Sequence, residues 1–406
     1  MNVEQVRAQF PSLNRQHNDV PVVYFDGPAG SQVPKRVADA VAHCMVHINA
    51  NTHGVFATAA ETDALLEKAQ LVASTFLGVA GDPVVFGANM TSLTFALSRS
   101  IARSWKPGDE ILVTRLDHDA NITPWVLAAQ EAGAVVRHIE FKPDDCTLDM
   151  ADFEAKLSDR TRFLAVGAAS NAVGTINPVA HMVEQVHSRG GLVFVDAVHS
   201  APHLLIDVPA WGCDFVACSA YKFFGPHVGM LWGRPGLMRE LPAYQVRPAD
   251  PDHPYRWMTG TQNHEGIAGV IDAIEYLAEL AGATADLRGA LVAGYAQIAS
   301  HERKLLTALL DGLAALDKVT VAGITSLDRL DERVPTLSIA HADQSPQQLA
   351  TYLAERGIFV WNGNYYAIDW SESLGLEPDG MVRIGLLHYN TIGEVERLLG
   401  ALRELE

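Results

Sequence analysis

Leu192-Val193-Phe194-Val195-Asp196-Ala197-Val198-His199, with Phe215-Val216-Ala217-Cys218-Ser219-Ala220-Tyr221-Lys222 a short way on, decides how this chain folds. Each segment opens on consecutive apolar residues, so an extended strand there presents apolar side chains on both faces and must be covered on both sides. Similar short runs stand at Pro83 to Phe86, Glu110 to Thr114, Ala134 to Ile139, Phe163 to Gly167 and Val228 to Trp232. Helical patterns lie between them at Thr91 to Arg103, Asn121 to Glu131 and Val179 to Ser188. That alternation predicts an α/β fold built on a mostly parallel sheet with helices on both faces.

Outward from this block, Thr58-Ala59-Ala60-Glu61 has the spacing of a capping box, and Leu65, Ala69, Val72 and Phe76 follow at helical intervals. The stretch from Gly266 to Leu316 reads as helical almost throughout. After Arg333, short strands at Thr336 to Ile339, Phe359 to Trp361 and Val382 to Ile384 mix with helices near Gln347 to Glu355 and Ile392 to Leu405. The expected organisation is a large α/β domain over residues 20–265 and a small α+β domain over 266–406, joined by residues 1–19.

A length of 406 residues suits two lobes better than one core, and 48% hydrophobic with 19% charged residues is ordinary for a globular protein. The net charge of −18, with no basic stretch, argues against a nucleic-acid partner. Residues 1–10 lack the basic start and apolar core of a signal peptide, and the apolar runs are far shorter than a membrane span. The four cysteines (Cys44, Cys146, Cys213, Cys218) show no C-x-x-C spacing and read as reduced thiols. A soluble cytoplasmic protein is expected, with no membrane partner and no metal site.

In open α/β sheets, ligands collect at the carboxyl ends of strands. The Pro83 to Phe86 strand ends in Gly87-Ala88-Asn89-Met90-Thr91-Ser92 before a helix, a place where backbone N–H groups and hydroxyls suit a phosphate; Thr91 and Ser92 equally serve as plain helix caps. Asp196 ends a buried strand, where a carboxylate needs a cation or donor, and a protonated pyridine nitrogen is one such partner; capping the next helix is another use. Lys222 sits among aromatic and apolar residues, a setting that lowers an amine's pKa as a Schiff-base lysine requires, although a lysine can also snorkel at a turn. Ser219 offers either a phosphate donor or a turn cap.

Asp196-Ala197-Val198-His199 and Ser219-Ala220-Tyr221-Lys222 together resemble class V of the aminotransferase superfamily, in its cysteine desulfurase-like branch, which includes selenocysteine lyase-like and isopenicillin N epimerase-like members. The resemblance runs in order along nearly the whole chain: Tyr24 to Gly30, Asp117-His118-Asp119-Ala120-Asn121 with Pro124-Trp125, Ser170-Asn171-Ala172-Val173-Gly174-Thr175, Gly260-Thr261-Gln262, and Arg383-Ile384-Gly385 with Tyr389-Asn390-Thr391. It implies fold type I of the pyridoxal 5'-phosphate (PLP) enzymes, with PLP as cofactor, a small amino acid as substrate and a homodimer with shared active sites. By the same resemblance, Lys222, Asp196 and His118 are catalytic. Met90, Thr91, Ser92, His118, Asn171, Asp196, His199, Ser219, Tyr221, Lys222 and Thr261 bind the cofactor, with Thr261 reaching the partner subunit's phosphate. Arg383, Asn171 and Tyr366 bind the substrate. Each role has a physical basis: His118 can lie on the pyridine face, Asn171 can bond the ring hydroxyl, and Arg383 can grip a carboxylate with two parallel bonds.

The chain departs from the desulfurase pattern in three places. Where a desulfurase has its nucleophilic cysteine, within Gly357 to Ala367, this sequence has Tyr366, and all four cysteines precede Lys222. Tyr221 replaces the histidine before the lysine, and Asn51-Thr52-His53-Gly54 lacks the family's arginine. A PLP enzyme acting at Cα without a persulfide is therefore expected, aminotransferase-like in the first instance. β-Elimination or C–S lyase chemistry and racemisation or epimerisation, with Tyr365 or Tyr366 as a second acid, stand as alternatives, as does a non-catalytic binding protein.

Overall fold

The computed structural model describes every residue except 283–285. Seven strands form the central sheet: β1 (Val85–Gly87), β2 (Glu110–Thr114), β3 (Val135–Ile139), β4 (Thr161–Gly167), β5 (Leu192–Asp196), β6 (Phe215–Ser219) and β7 (Gly229–Gly233), in the order β1-β7-β6-β5-β4-β2-β3. β7 runs antiparallel to both neighbours, and the remaining pairings are parallel.

The period-2 geometry of a strand explains why both faces had to be apolar. Val193, Val195, Leu164, Val166 and Val216 enter one core with helix Val179–His187, while Phe194, Phe163, Ala165 and Phe215 enter another with helices Met90–Ile101 and Thr123–Ala132. Each large side chain so buried stabilises the fold by about 1.5–3 kcal/mol relative to exposure. The expected α/β architecture with helices on both faces is what forms.

The second lobe carries an antiparallel sheet of β8 (Val319–Ala322), β9 (Thr336–His341), β10 (Trp361–Gly363) and β11 (Met381–Gly385), in the order β8-β9-β11-β10. Its separate core includes Leu337, Ile339, Val382 and Ile384 together with Val23 and Phe25. Those N-terminal residues arrive because Val23–Tyr24 pairs in parallel with Ile358–Phe359.

Several local expectations change. The capping box at Thr58 does not form: helix Ala57–Leu77 starts two residues earlier than a Thr58 cap would set, Phe56 caps it without a side-chain bond, and the Thr58 carbonyl accepts from the Thr62 hydroxyl instead. The segment 266–316 breaks into His264–Glu279 and Leu287–Ala314, the second started by the Asp286 side chain accepting from the Gly289 N–H; part of the expected helix, 283–285, lies outside the described residues. Phe359 to Trp361 divides between two strands. The packing of Ile267, Ile271 and Ile274 in the central sheet's core, along with Val6, Phe10 and Leu13, cuts across the expected domain boundary at 265/266. No helix among the described residues is long and apolar enough to cross a membrane.

Candidate active site

The carboxyl ends of β2, β4, β5 and β6 open onto one cavity of about 600 Å³. Its walls carry Asp196 and His199 after β5, Ser219 and Lys222 after β6, Asp117 and His118 after β2, and Asn171 after β4. The start of helix Met90–Ile101 closes one side, with Met90, Thr91 and Ser92 all in the wall. That helix start is pinned to the sheet: the Met90 N–H donates to the Ser219 hydroxyl (2.9 Å), and the Asn89 side chain caps Ser92 N–H (2.8 Å). Gly229, opposite Ser219 in the ladder, has no alternative here, because a Cβ would lie 2.4 Å from the Asn89 backbone.

Lys222 is buried, and its Nζ donates to the Pro28 carbonyl. Burial, reinforced by the charge of Arg383, pushes the amine down to about 7, while Asp196 pulls the other way. Asp196 is raised to about 6 by burial, against the Val198 N–H that its Oδ1 accepts (2.8 Å) and the charge of Lys222. His118 is driven down to about 3 by burial and by Lys222 and Arg383, so its ring is neutral; its Nδ1 accepts from the Ala120 N–H (3.0 Å). The structure leaves both ring nitrogens of buried His199 and the Oδ1 of Asn171 without a hydrogen-bond partner. In the cavity wall, such atoms are free to meet a polar ligand.

The second lobe packs against this wall without lining the cavity. Arg383, in β11, is fully enclosed behind the cavity wall; its Nη1 donates to the Asn171 carbonyl (2.9 Å), its Nε has no partner, and its guanidinium lies 4.5 Å from the Tyr365 ring centre. Burial lowers it to about 10. Tyr365 and Tyr366 both adopt left-handed backbone (φ 59° and 61°), an unusual pair for bulky residues. The Tyr365 carbonyl accepts from Asn171 Nδ2 (2.9 Å), and the Tyr366 carbonyl accepts from the Asp119 N–H (2.7 Å). The Tyr366 ring stacks on His118, centres 5.4 Å apart and planes 18° apart.

Residues 23–398 match the family Aminotransferase class-V. The chain belongs to that family. A cysteine desulfurase of Yersinia pseudotuberculosis is 31% identical over 422 residues, covering 100% of this chain and 98% of the relative, and one of Klebsiella pneumoniae is 31% identical over 424 residues with the same coverage. Among solved structures, an apo cysteine desulfurase from Thermococcus onnurineus superposes with a TM-score of 0.88 at 27% identity, covering 99% of this chain and 97% of that one. The Escherichia coli cysteine desulfurase CsdA gives 0.84 at 27% identity, covering 100% and 98%.

Class-V aminotransferases use PLP, and this cavity fits it. An enclosed lysine with a lowered pKa, a buried carboxylate, unpartnered His199 and Asn171 atoms and a helix N-terminus for phosphate share one wall. Three expected site residues stand apart from that wall. Arg383 lies behind it, Tyr366 is 72% exposed beside His118, and Thr261 is exposed in an adjoining depression that shares Ser92 and His227 with the cavity. Tyr365 is no candidate for a second acid, because its hydroxyl is turned to Ser338 (3.4 Å) within the second lobe and burial raises its pKa further above the ordinary phenol value. Two titratable wall residues were given no role from sequence. Asp117, raised to about 7 by burial and by Asp196, accepts from the Gly167 N–H (2.9 Å) and Asn121 Nδ2 (2.8 Å); His227 stacks on Tyr221 at 5.1 Å and 13°. Asp117 follows an apolar strand just as Asp196 does, and that was the available signal. Among the described residues, no group of three His, Cys, Asp or Glu side chains is placed to hold a metal ion.

Proposed function

We propose that the chain acts at Cα of a small α-amino acid and forms no persulfide on a cysteine of its own. The observation that carries this is the placement of the thiols: Cys44, Cys146, Cys213 and Cys218 are all buried, none is in the cavity wall, and burial raises each thiol's pKa, Cys213's to about 12. A thiol so held is a poor nucleophile. Tyr366 stands in the loop where a reactive cysteine would have to be, over His118.

Bound PLP supplies an electron sink for negative charge at Cα. Asp196 would hold the proton on the cofactor's ring nitrogen, His118 would lie against the ring face, and Asn171 and His199 would meet its polar edge. Met90, Thr91, Ser92, Ser219 and Tyr221 would hold the phosphate, joined by Thr261 from the partner in a homodimer. Arg383 would orient the substrate carboxylate through the edge that includes its unpartnered Nε. The Lys222 amine, lowered to about 7 and so partly unprotonated near neutral pH, takes the Cα proton and returns it. Transamination is the leading outcome, with β-elimination or C–S lyase chemistry and racemisation or epimerisation as the alternatives. We place the enzyme in the cytoplasm.

A panel of small amino acids incubated in deuterated water, followed for Cα exchange, keto acid and ammonia, tests this. Cα exchange with keto acid formation is expected. Sulfide released from cysteine by the wild type and lost in a variant without its cysteines contradicts the proposal.

A further inference from the structure

Behind His199, away from the cavity, lies a buried acid–imidazole pair with no part in the chemistry above. His203 Nδ1 meets Glu302 Oε2 at 2.9 Å, with side chains only 3% and 4% exposed. Glu302 comes from helix Leu287–Ala314, far along the chain from the strand-end turn that holds His199 and His203. The His203 ring stands 5.7 Å from the His199 ring, nearly edge to face at 67°. His199 itself is 4% exposed, shares the cavity wall with Asp196 and Lys222, and has no hydrogen bond at either nitrogen. Nothing but its packing against neighbours, His203 among them, fixes its plane.

We propose that His203 and Glu302 are a positioning pair for His199: they set its ring plane and keep it uncharged, so that it meets the cofactor as a neutral hydrogen-bonding imidazole. A carboxylate on one imidazole nitrogen fixes that ring's tautomer and orientation. Glu302 does this to His203, and the pinned His203 ring buttresses His199. Beside His199 the charged and titratable groups are His203, Lys222, Arg383, His118 and, in the same wall, Asp196; beside Glu302 they are His203, His301 and Tyr295, with Arg303, Asp331 and Arg333 lining the same depression. Burial, with the charges of Lys222 and Arg383, acts to hold His199 neutral. A neutral ring there avoids adding a further cation to a wall in which the amine of Lys222 must remain available as a base.

This inference rests on the PLP assignment, and the test separates the two. Glu302→Gln and His203→Asn are prepared as PLP-loaded protein, and the visible band of the bound cofactor is titrated with pH. Both variants are expected to hold PLP, to melt within about 3 °C of wild type, and to move the band's pH midpoint by about half a unit or more in the same direction. In a His199→Asn background, Glu302→Gln is expected to move it no further. Variants that load and fold but titrate as wild type overturn the proposal, and so does a Glu302→Gln shift that persists undiminished without His199. Nitrogen NMR of His199 in the wild-type holoenzyme covers the case in which the variants do not fold. A neutral ring between about pH 6 and pH 8 is expected, and a protonated one overturns the proposal. A wild-type protein that takes up no PLP at all sinks the cofactor assignment instead.

Discussion

The sheet-end cavity and the second-lobe surface packed against it are built in different ways. The central-sheet side takes Asp117, Asn171, Asp196, Ser219 and Lys222 from the ends of strands packed on both faces, and burial shifts Asp117, Asp196 and Lys222 toward neutrality. The second-lobe side rests on Arg383 in a strand and on two tyrosines held in left-handed backbone by hydrogen bonds from the first side. One side is a rigid, desolvated reaction wall. The other is a clamp whose shape depends on its contacts with that wall.

That contrast orders the expected effects. Removing the amine at the centre of the rigid wall, Lys222→Ala, should lower Cα exchange by about 10³-fold or more; a fall of less than about tenfold would mean that another group moves the proton. On the clamp, Arg383→Lys loses the planar two-point grip and should reduce kcat/KM by about 10²-fold. An unchanged kcat/KM would show that the substrate carboxylate binds elsewhere.

The wall also makes a prediction for the cofactor-free protein. Asp196 binds its proton more tightly folded than unfolded, so its stabilising contribution is present below the ordinary aspartate value near about 4 and is lost as pH rises through about 6. Asp196→Asn should therefore be more stable than wild type by about 2–3 kcal/mol near about pH 8, with the difference vanishing near about pH 4. Denaturant unfolding at both pH values checks this, and a variant less stable at the higher pH would contradict it.

The smallest effect belongs to the clamp's backbone. At Tyr366, whose side chain is mostly exposed, glycine accepts φ of 61° without a Cβ clash, so Tyr366→Gly should unfold at higher denaturant than Tyr366→Ala by about 1 kcal/mol. The reverse order would mean that the loop relaxes out of the left-handed region.

The same division marks what could be read in advance. Strands apolar on both faces, and a carboxylate or lysine at their ends, are local patterns with one physical explanation, so Asp196 and Lys222 were legible before any contact was known. Asp117 carries the same pattern but hides inside a motif whose histidine draws the eye. The left-handed turn at Tyr365 and Tyr366 has no local signal. It follows from Asn171 and Asp119 donating to two successive carbonyls, residues nearly two hundred or more positions earlier in the chain. Thr58 shows the opposite failure, a good local cap that lost to a helix starting two residues sooner.

Reduction of the PLP-loaded protein with borohydride, followed by peptide mass analysis, tests the central claim most directly. The pyridoxyl mass should appear on the peptide containing Lys222 and on no other lysine. Label on a different lysine, or on none in a protein that binds PLP, would contradict the account.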